Sequence, residues 1–258
     1  MLAFDVGRAA AAFAAAFVAG AINSIAGGGT LVSFPTLIWL GLPPVVANAT
    51  NTVAVWPGSL GSMWGYRREL ADIESRMLLL AVPSIVGGVA GALLLRLTPA
   101  PLFSRLVPFL ILFATLLFML QEPVQRWLKS SDGAAHDSGK WLAGAAGFQF
   151  FVGVYGGYFG AGIGILMLAA LAILGVVGIH RMNGLKNLFA LCINGSAAIY
   201  FLAAGMVHWR YALLMAVGAI VGGYACAGFA RRMSAQAVRR VVILIGLGMA
   251  LSLLIANK

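Results

Sequence analysis

Acid is the scarcest thing in this chain. Seven Asp and Glu stand against seventeen Lys and Arg among 258 residues, and charged residues make up only 9% of the whole. A soluble domain carries about 25%. A chain of this length can bury one large core or two small ones, but so few charges cannot clothe that core against water. Soluble enzymes and disordered chains are excluded on this ground. Two cysteines, Cys192 and Cys226, are too few for a disulfide scaffold. Both lie in apolar runs and read as small core hydrophobes, with no metal or disulfide signal.

The position of the missing charge excludes more. The acids Asp5, Glu69, Asp72, Glu74, Glu122, Asp132 and Asp137 all fall in loops or segment ends. The histidines, His136, His180 and His208, lie in or beside loops. A cation or metal transporter would want Asp, Glu or His clusters within its apolar segments. An intramembrane protease would want paired carboxylates, a Ser–His pair or HExxH. None is present, so no enzyme, no metal and no cofactor is expected.

What is there is long apolar text. The chain is 62% hydrophobic, with a mean hydropathy of +0.98. Apolar segments run over 9–40, 45–66, 77–95, 102–120, 141–177, 183–204, 211–230 and 241–256. A spanning helix takes about 20 apolar residues, so six of these fit one crossing each. The first and fifth are too long for one ordinary helix and are interrupted by glycine. Arg8 and the Ala/Phe run to Gly20 resemble a signal peptide. The run continues past Gly20 into a segment that recurs later, so cleavage is not expected. Residues 121–140 form the one long polar stretch and read as a surface linker between a first half, 1–120, and a second, 141–258.

The halves align with each other. Val82-Pro83-Ser84-Ile85-Val86-Gly87-Gly88 matches Val217-Gly218-Ala219-Ile220-Val221-Gly222-Gly223 at an offset of 135, which also pairs Arg96 with Arg231 and Arg105 with Arg240. Gly20, Gly27 and Gly29 match Gly153, Gly160 and Gly162 at offset 133, and Asn51 matches Asn187 at 136. Duplicated halves recur in secondary transporters. Basic clusters such as Arg67-Arg68, Arg231-Arg232 and Arg239-Arg240 lie between apolar runs and read as orienting loop charges rather than a nucleic-acid surface. With eight single crossings the loop cations divide nine to seven, almost without bias. With the two glycine-broken segments folded back they divide eleven to five. The positive-inside rule favours the second arrangement, in which the halves are inverted repeats.

Two constellations carry the expected chemistry. The first comprises the glycine breaks, Gly27-Gly28-Gly29-Thr30 with Asn23 beside it, and Gly160-Ala161-Gly162-Ile163-Gly164. Unwound backbone at these points would offer N–H groups and a positive helix end to an anion. The glycines at 87, 91, 218 and 222 read instead as close helix packing. No strand precedes either glycine run, which excludes a dinucleotide fingerprint. The second is the polar cluster Asn48-Ala49-Thr50-Asn51-Thr52 and its repeat mate Asn183-Gly184-Leu185-Lys186-Asn187, followed by Asn194 and Ser196. An ammonium within an apolar segment faces a cavity or a partner. No buried acid exists to pair with Lys186, and an anionic substrate would supply the counter-charge. Trp56, Trp64, Tyr66, Trp127, Trp141, Trp209 and Tyr211 mostly lie near segment ends and suit an aromatic belt.

The stretch from Gly20 to Tyr66 resembles the first-half signature of the TauE/SafE sulfite-exporter family, also called the toluene-sulfonate uptake permeases. The residues that carry the likeness are Asn23, Gly27-Gly28-Gly29, Pro35, Leu40-Gly41-Leu42-Pro43, Ala47, Thr50-Asn51 and Gly58. The second half resembles the family's repeat through Gly153, Gly156, Gly160-Ala161-Gly162 and the stretch from Asn183 to Asn187. The resemblance implies a bacterial inner-membrane permease for sulfite, sulfonates and related sulfur anions. The expected fold is an all-α polytopic membrane protein of two homologous halves, each a glycine-broken, re-entrant segment plus three transmembrane helices. The expected partners are a small anion, the lipid bilayer and a second copy in a homodimer, with no nucleic acid. The expected substrate-binding residues are Asn23, Gly27, Gly28, Gly29, Thr30, Thr50, Asn51, Gly160, Gly162, Gly164, Lys186 and Asn187. A metal or other cation transporter, and a non-transporting membrane scaffold or assembly protein, are the alternatives.

Overall fold

The computed structural model describes residues 5–25, 28–65, 75–130, 139–173, 176, 179–229 and 235–256. Among them the regular structure is helical. In chain order the helices are α1 (Val6–Ile25), α2 (Thr30–Trp39), α3 (Pro44–Gly65), the short α4 (Ser75–Leu78), α5 (Ala81–Leu97), α6 (Ala100–Ser130), α7 (Gly139–Tyr158), α8 (Ile163–Ile173), α9 (Ile179–Ala203), α10 (Trp209–Phe229) and α11 (Ala235–Ala256).

Three described stretches are both long and apolar enough to cross a membrane: Val6–Asn23, Ala100–Leu120 and Arg181–Ala203. Thr30–Trp39, Ala81–Leu97 and Arg240–Ile255 are shorter apolar helices. At 1.5 Å per residue, α2 and α8 each rise only about 15 Å, half of a hydrocarbon core. The polar stretch differs from expectation. Helix α6 continues through Glu122, Gln125, Arg126 and Lys129 to Ser130, because these straight-chain polar residues lose little rotamer freedom in a helix. The Arg67-Arg68 and Arg231-Arg232 clusters and His136 lie outside the described residues.

The outward faces are apolar. Val82, Ile85, Val86, Val89, Leu93, Leu94 and Leu97 on α5 are exposed, as are Leu213, Val217, Ile220 and Val221 on α10. A soluble monomer does not carry apolar surface on this scale, whereas lipid tails accept it. The interior is built on fully buried aromatic side chains, among them Phe34, Phe103, Phe118, Phe159, Phe201 and Tyr211. Phe34 of α2 meets Phe159, just past the end of α7, edge to face at 5.3 Å.

Glycine sets the closest helix contacts. Helix α1 packs on α10 and α5 on α7. A Cβ on Gly222 would overlap the backbone of Phe17, and one on Gly218 would lie 2.8 Å from the Phe13 carbonyl oxygen. On the other side, Gly91 abuts the Val154 carbonyl and Gly87 the Phe150 carbonyl. Lipid tails are as apolar as the helices, so association depends on close van der Waals approach, and glycine permits it. The packing role expected for residues 87, 91, 218 and 222 is what the structure shows. Ser84 and Gln149 bridge α5 and α7 through a buried 2.8 Å hydrogen bond that nothing in the sequence pattern announced.

Gly91→Val and Gly222→Val are expected to separate these helix pairs, since the obstructing atoms are backbone. Overpacking of this kind costs about 1–3 kcal/mol or more. Thermal unfolding in detergent should show a lowered midpoint or no folded species. Gly144→Ala, with nothing within 4 Å of the added carbon, is the matched control and should melt as the wild type does.

Candidate functional site

Both glycine-rich regions mark helix ends. Helix α1 stops at Ile25 and α2 starts at Thr30, with Gly28 at φ 87°. Helix α7 stops at Tyr158 and α8 starts at Ile163, with Gly160 and Gly162 both at φ 81°. Side chains other than hydrogen avoid this left-handed region, so glycine is required at these bends. An added side chain would also crowd its neighbours at both bends. A Cβ on Gly28 would meet the Phe118 ring at 2.9 Å, and one on Gly162 would meet Leu117 at 3.3 Å.

The backbone at the bends is tied down by side chains. The Asn23 Oδ1 accepts the Gly29 N–H at 2.8 Å, across the turn between α1 and α2. At the second bend the N–H groups of Phe159 and Gly160 return to the Tyr155 carbonyl at 2.9 and 3.2 Å. The Tyr155 hydroxyl donates to the Ala161 carbonyl at 2.8 Å. From the other half, the Asn48 Nδ2 of α3 donates to the Tyr158 carbonyl at 2.9 Å. A helix C-terminus leaves carbonyls without partners, and Asn48 satisfies one of these from a neighbouring helix.

A small pocket opens where the two bends approach α3 and α9. Thr30 reaches it from the start of α2, and Asn51, Thr52 and Trp56 from α3. The second half contributes Gly160 from its bend and Asn194 from α9. Asn51 is 2% exposed, and its Oδ1 has no hydrogen-bond partner. The Trp56 Nε1 is likewise buried without a partner.

The structure thus gathers three of the residues singled out from sequence, Thr30, Asn51 and Gly160, and places the others around them. Gly27 lies outside the described residues. Asn23 holds Gly29 rather than facing the pocket, so the Gly29 N–H is already engaged. The Thr50 hydroxyl is fully buried and accepts the His208 N–H at 2.9 Å, just before α10. Gly28 packs on Phe118 and Gly162 on Leu117. Lys186 is half-buried on α9 and lays its aliphatic stem along Gly164, where a Cβ would come within 3.3 Å of its Cδ. Asn187, beside it, is half-buried too. Neither belongs to the pocket wall.

Trp56 and Asn194 are the functional candidates that the sequence pattern did not mark as site residues. Trp56 falls at mid-helix in α3 rather than at a membrane interface, and Tyr211 is 1% exposed, so neither joins an aromatic belt. Trp209, 55% exposed at the start of α10, suits one. The available signal for Trp56 was its place one turn and a residue beyond Asn51. Among the described residues, no three His, Cys, Asp or Glu gather where a metal ion could be held.

The sulfite exporter family TauE/SafE matches residues 12–253 of this chain. A probable membrane transporter protein, ORF9 of Sinorhizobium sp, is 28% identical over 242 residues, covering 94% of this chain and 90% of the relative. The probable membrane transporter protein YfcA of Escherichia coli K12 is 28% identical over 243 residues, covering 94% and 88%. YunE of Bacillus subtilis, also named a probable membrane transporter protein, is 26% identical over 254 residues, covering 89% and 92%. No solved structure matches.

Thr50→Val keeps the shape of the side chain but leaves the His208 N–H buried without an acceptor. Such a group costs about 1–3 kcal/mol, and the melting midpoint should fall accordingly. Asn23→Leu should act in the same direction at the first bend. An unchanged midpoint in both would mean that these bonds do not hold the bends.

Proposed function

The chain belongs to the sulfite exporter TauE/SafE family, and from that premise we propose that it carries small sulfur-containing anions across the bacterial inner membrane. It is a membrane transporter of that family, with relatives named as membrane transporters over nearly its whole length. The charge pattern suits a small anion, and family membership is what points to sulfite, sulfonates and related oxyanions. The observation that carries this reading is Lys186. It sits within an apolar helix, and the described helices contain a single acid, Glu122, in the polar end of α6. A half-buried ammonium on an apolar helix, with no carboxylate recorded beside it among the described residues, favours an anion nearby. Its stem lies on Gly164, one helix turn beyond the bend that lines the pocket.

The same reading takes the two halves as inverted repeats with folded-back helix pairs, α1 with α2 and α7 with α8. Support comes from reciprocal packing. If α1, α2, α3, α5 and α6 correspond to α7, α8, α9, α10 and α11, the contact of α1 with α10 is mirrored by that of α7 with α5. The contact of α3 with α10 is mirrored by α9 with α5, and that of α6 with α8 by α11 with α2. The glycine contacts follow suit: Gly222 meets Phe17 as Gly87 meets Phe150, and Phe17 and Phe150 are themselves 133 apart. Interlocked halves of this kind place a binding site at their shared interface, near mid-membrane.

Two measurements test this account. Lys186→Met should abolish uptake or efflux of sulfur anions in proteoliposomes while the protein still inserts; normal flux would remove Lys186 from the mechanism. Accessibility tags at the N-terminus and in the 126–140 linker should report opposite sides of the membrane. The same side would mean that each broken segment crosses fully.

A further inference from the structure

Resting on the anion-transport reading, we infer that the pocket between Trp56, Asn51, Thr30, Gly160 and Asn194 is the seat of the transported ion. It takes a small, singly charged oxyanion held by uncharged groups, and the Trp56 indole N–H directs it. Three observations carry this. The first is bonding left undone. The Trp56 Nε1 and the Asn51 Oδ1 are both buried and have no partner, although Asn51 is only 2% exposed. Native interiors rarely leave such groups unsatisfied, and a ligand completes them. An indole nitrogen only donates, so the pocket selects an acceptor and rejects a bare cation at that point. The Asn51 amide serves either way, since a rotation of its terminal torsion presents oxygen or NH₂.

The second is orientation. The Trp56 ring lies against Gly195, where an added Cβ would stand 2.9 Å from Nε1. The missing side chain on α9 is what lets the indole edge settle there. Thr30 and Asn194 bring a hydroxyl and a second amide from opposite halves of the chain. A seat built from both halves loosens when they move apart, as a carrier's must.

The third is charge. Among the described residues, no charged side chain lines the pocket. Lys186 contacts Gly164, beyond the wall, and supplies one positive charge at a remove. Uncharged dipoles and one distant cation balance one negative charge. A second would be buried without compensation, which is costly. On charge, hydrogen sulfite or a small alkanesulfonate is favoured over sulfate and thiosulfate.

The test is ligand-dependent thermal unfolding of the full chain in detergent at mildly acidic pH. The probes are hydrogen sulfite, methanesulfonate and nitrate as monoanions, with sulfate and thiosulfate as dianions. The wild type should bind the sulfur monoanions at least about tenfold more tightly than sulfate. Trp56→Phe keeps the ring packing and loses the N–H. It should melt like the wild type without ligand and bind at least about tenfold more weakly, the measure of one hydrogen bond to a charged group. Should that variant not fold, Asn194→Ala carries the same expectation. Wild-type affinity in the folded variant, or sulfate binding as tightly as the monoanions, overturns this seat while leaving sulfur-anion transport standing. Nitrate binding that depends on Trp56, with no response to sulfur anions, upholds the seat and overturns the sulfur reading. No response to any monoanion overturns both.

Discussion

Backbone amides within a bilayer have no water to turn to, and the rest of this structure follows from how that demand is met. A continuous helix meets it alone. A helix that stops at mid-depth exposes carbonyls at one end and N–H groups at the next, each costing several kcal/mol in hydrocarbon. Here the helices are interrupted after Ile25 and after Tyr158. Side chains take over where the ladder fails. Asn23 accepts from Gly29, Tyr155 donates to Ala161, and Asn48 reaches across from α3 to the Tyr158 carbonyl. The last of these bonds ties the first half of the chain to the bend of the second. A repair made for backbone satisfaction thus becomes an inter-half contact.

Packing obeys a related economy. Without a hydrophobic drive between helices in lipid, much of the gain comes from close approach, with hydrogen bonds such as Ser84–Gln149 adding to it. Residues 87, 91, 218 and 222 give up side chains to obtain it, and their Cα atoms lie against the backbone of α7 and α1. The aromatic interior then fills the space further in, where Phe34 and Phe159 meet between the two bends. The pocket survives beside this cluster because several of the groups at its edge are polar and directional rather than space-filling. Val55, Phe159 and Trp56 are the space-filling members of its wall, and Trp56 is accommodated by the absence of a side chain at Gly195.

Such an arrangement suits a transporter of small anions. Its polar groups are amides, hydroxyls and one indole, all neutral, drawn from both halves. Neutral donors bind an anion without trapping it, which a carrier needs in order to release its load. The lone ammonium of Lys186 sits near rather than within the wall. In the proposed mechanism it lowers the cost of bringing a negative charge to the pocket without forming a tight ion pair.

The sequence by itself determined that this is a helical membrane protein, because hydropathy and charge scarcity are additive properties of composition. Segment limits near 45–66, 183–204 and 211–230 agree with α3, α9 and α10, since lipid tolerates no long polar interruption. The packing glycines were legible because small-residue spacing is itself a contact code along one helix face. Thr50 and Asn23 were legible as important but not for their function: both bond to backbone, and a side chain's partner 158 or 6 residues away is not written in its neighbours. Trp56 and Asn194 were visible but not as a site, one counted among interfacial aromatics and the other noted only as following the Lys186 cluster. Only the tertiary structure decided that Asn51, Trp56, Thr30, Gly160 and Asn194 share one pocket. Their meeting depends on the distance and angle between helices from different halves, which packing sets and no local pattern records.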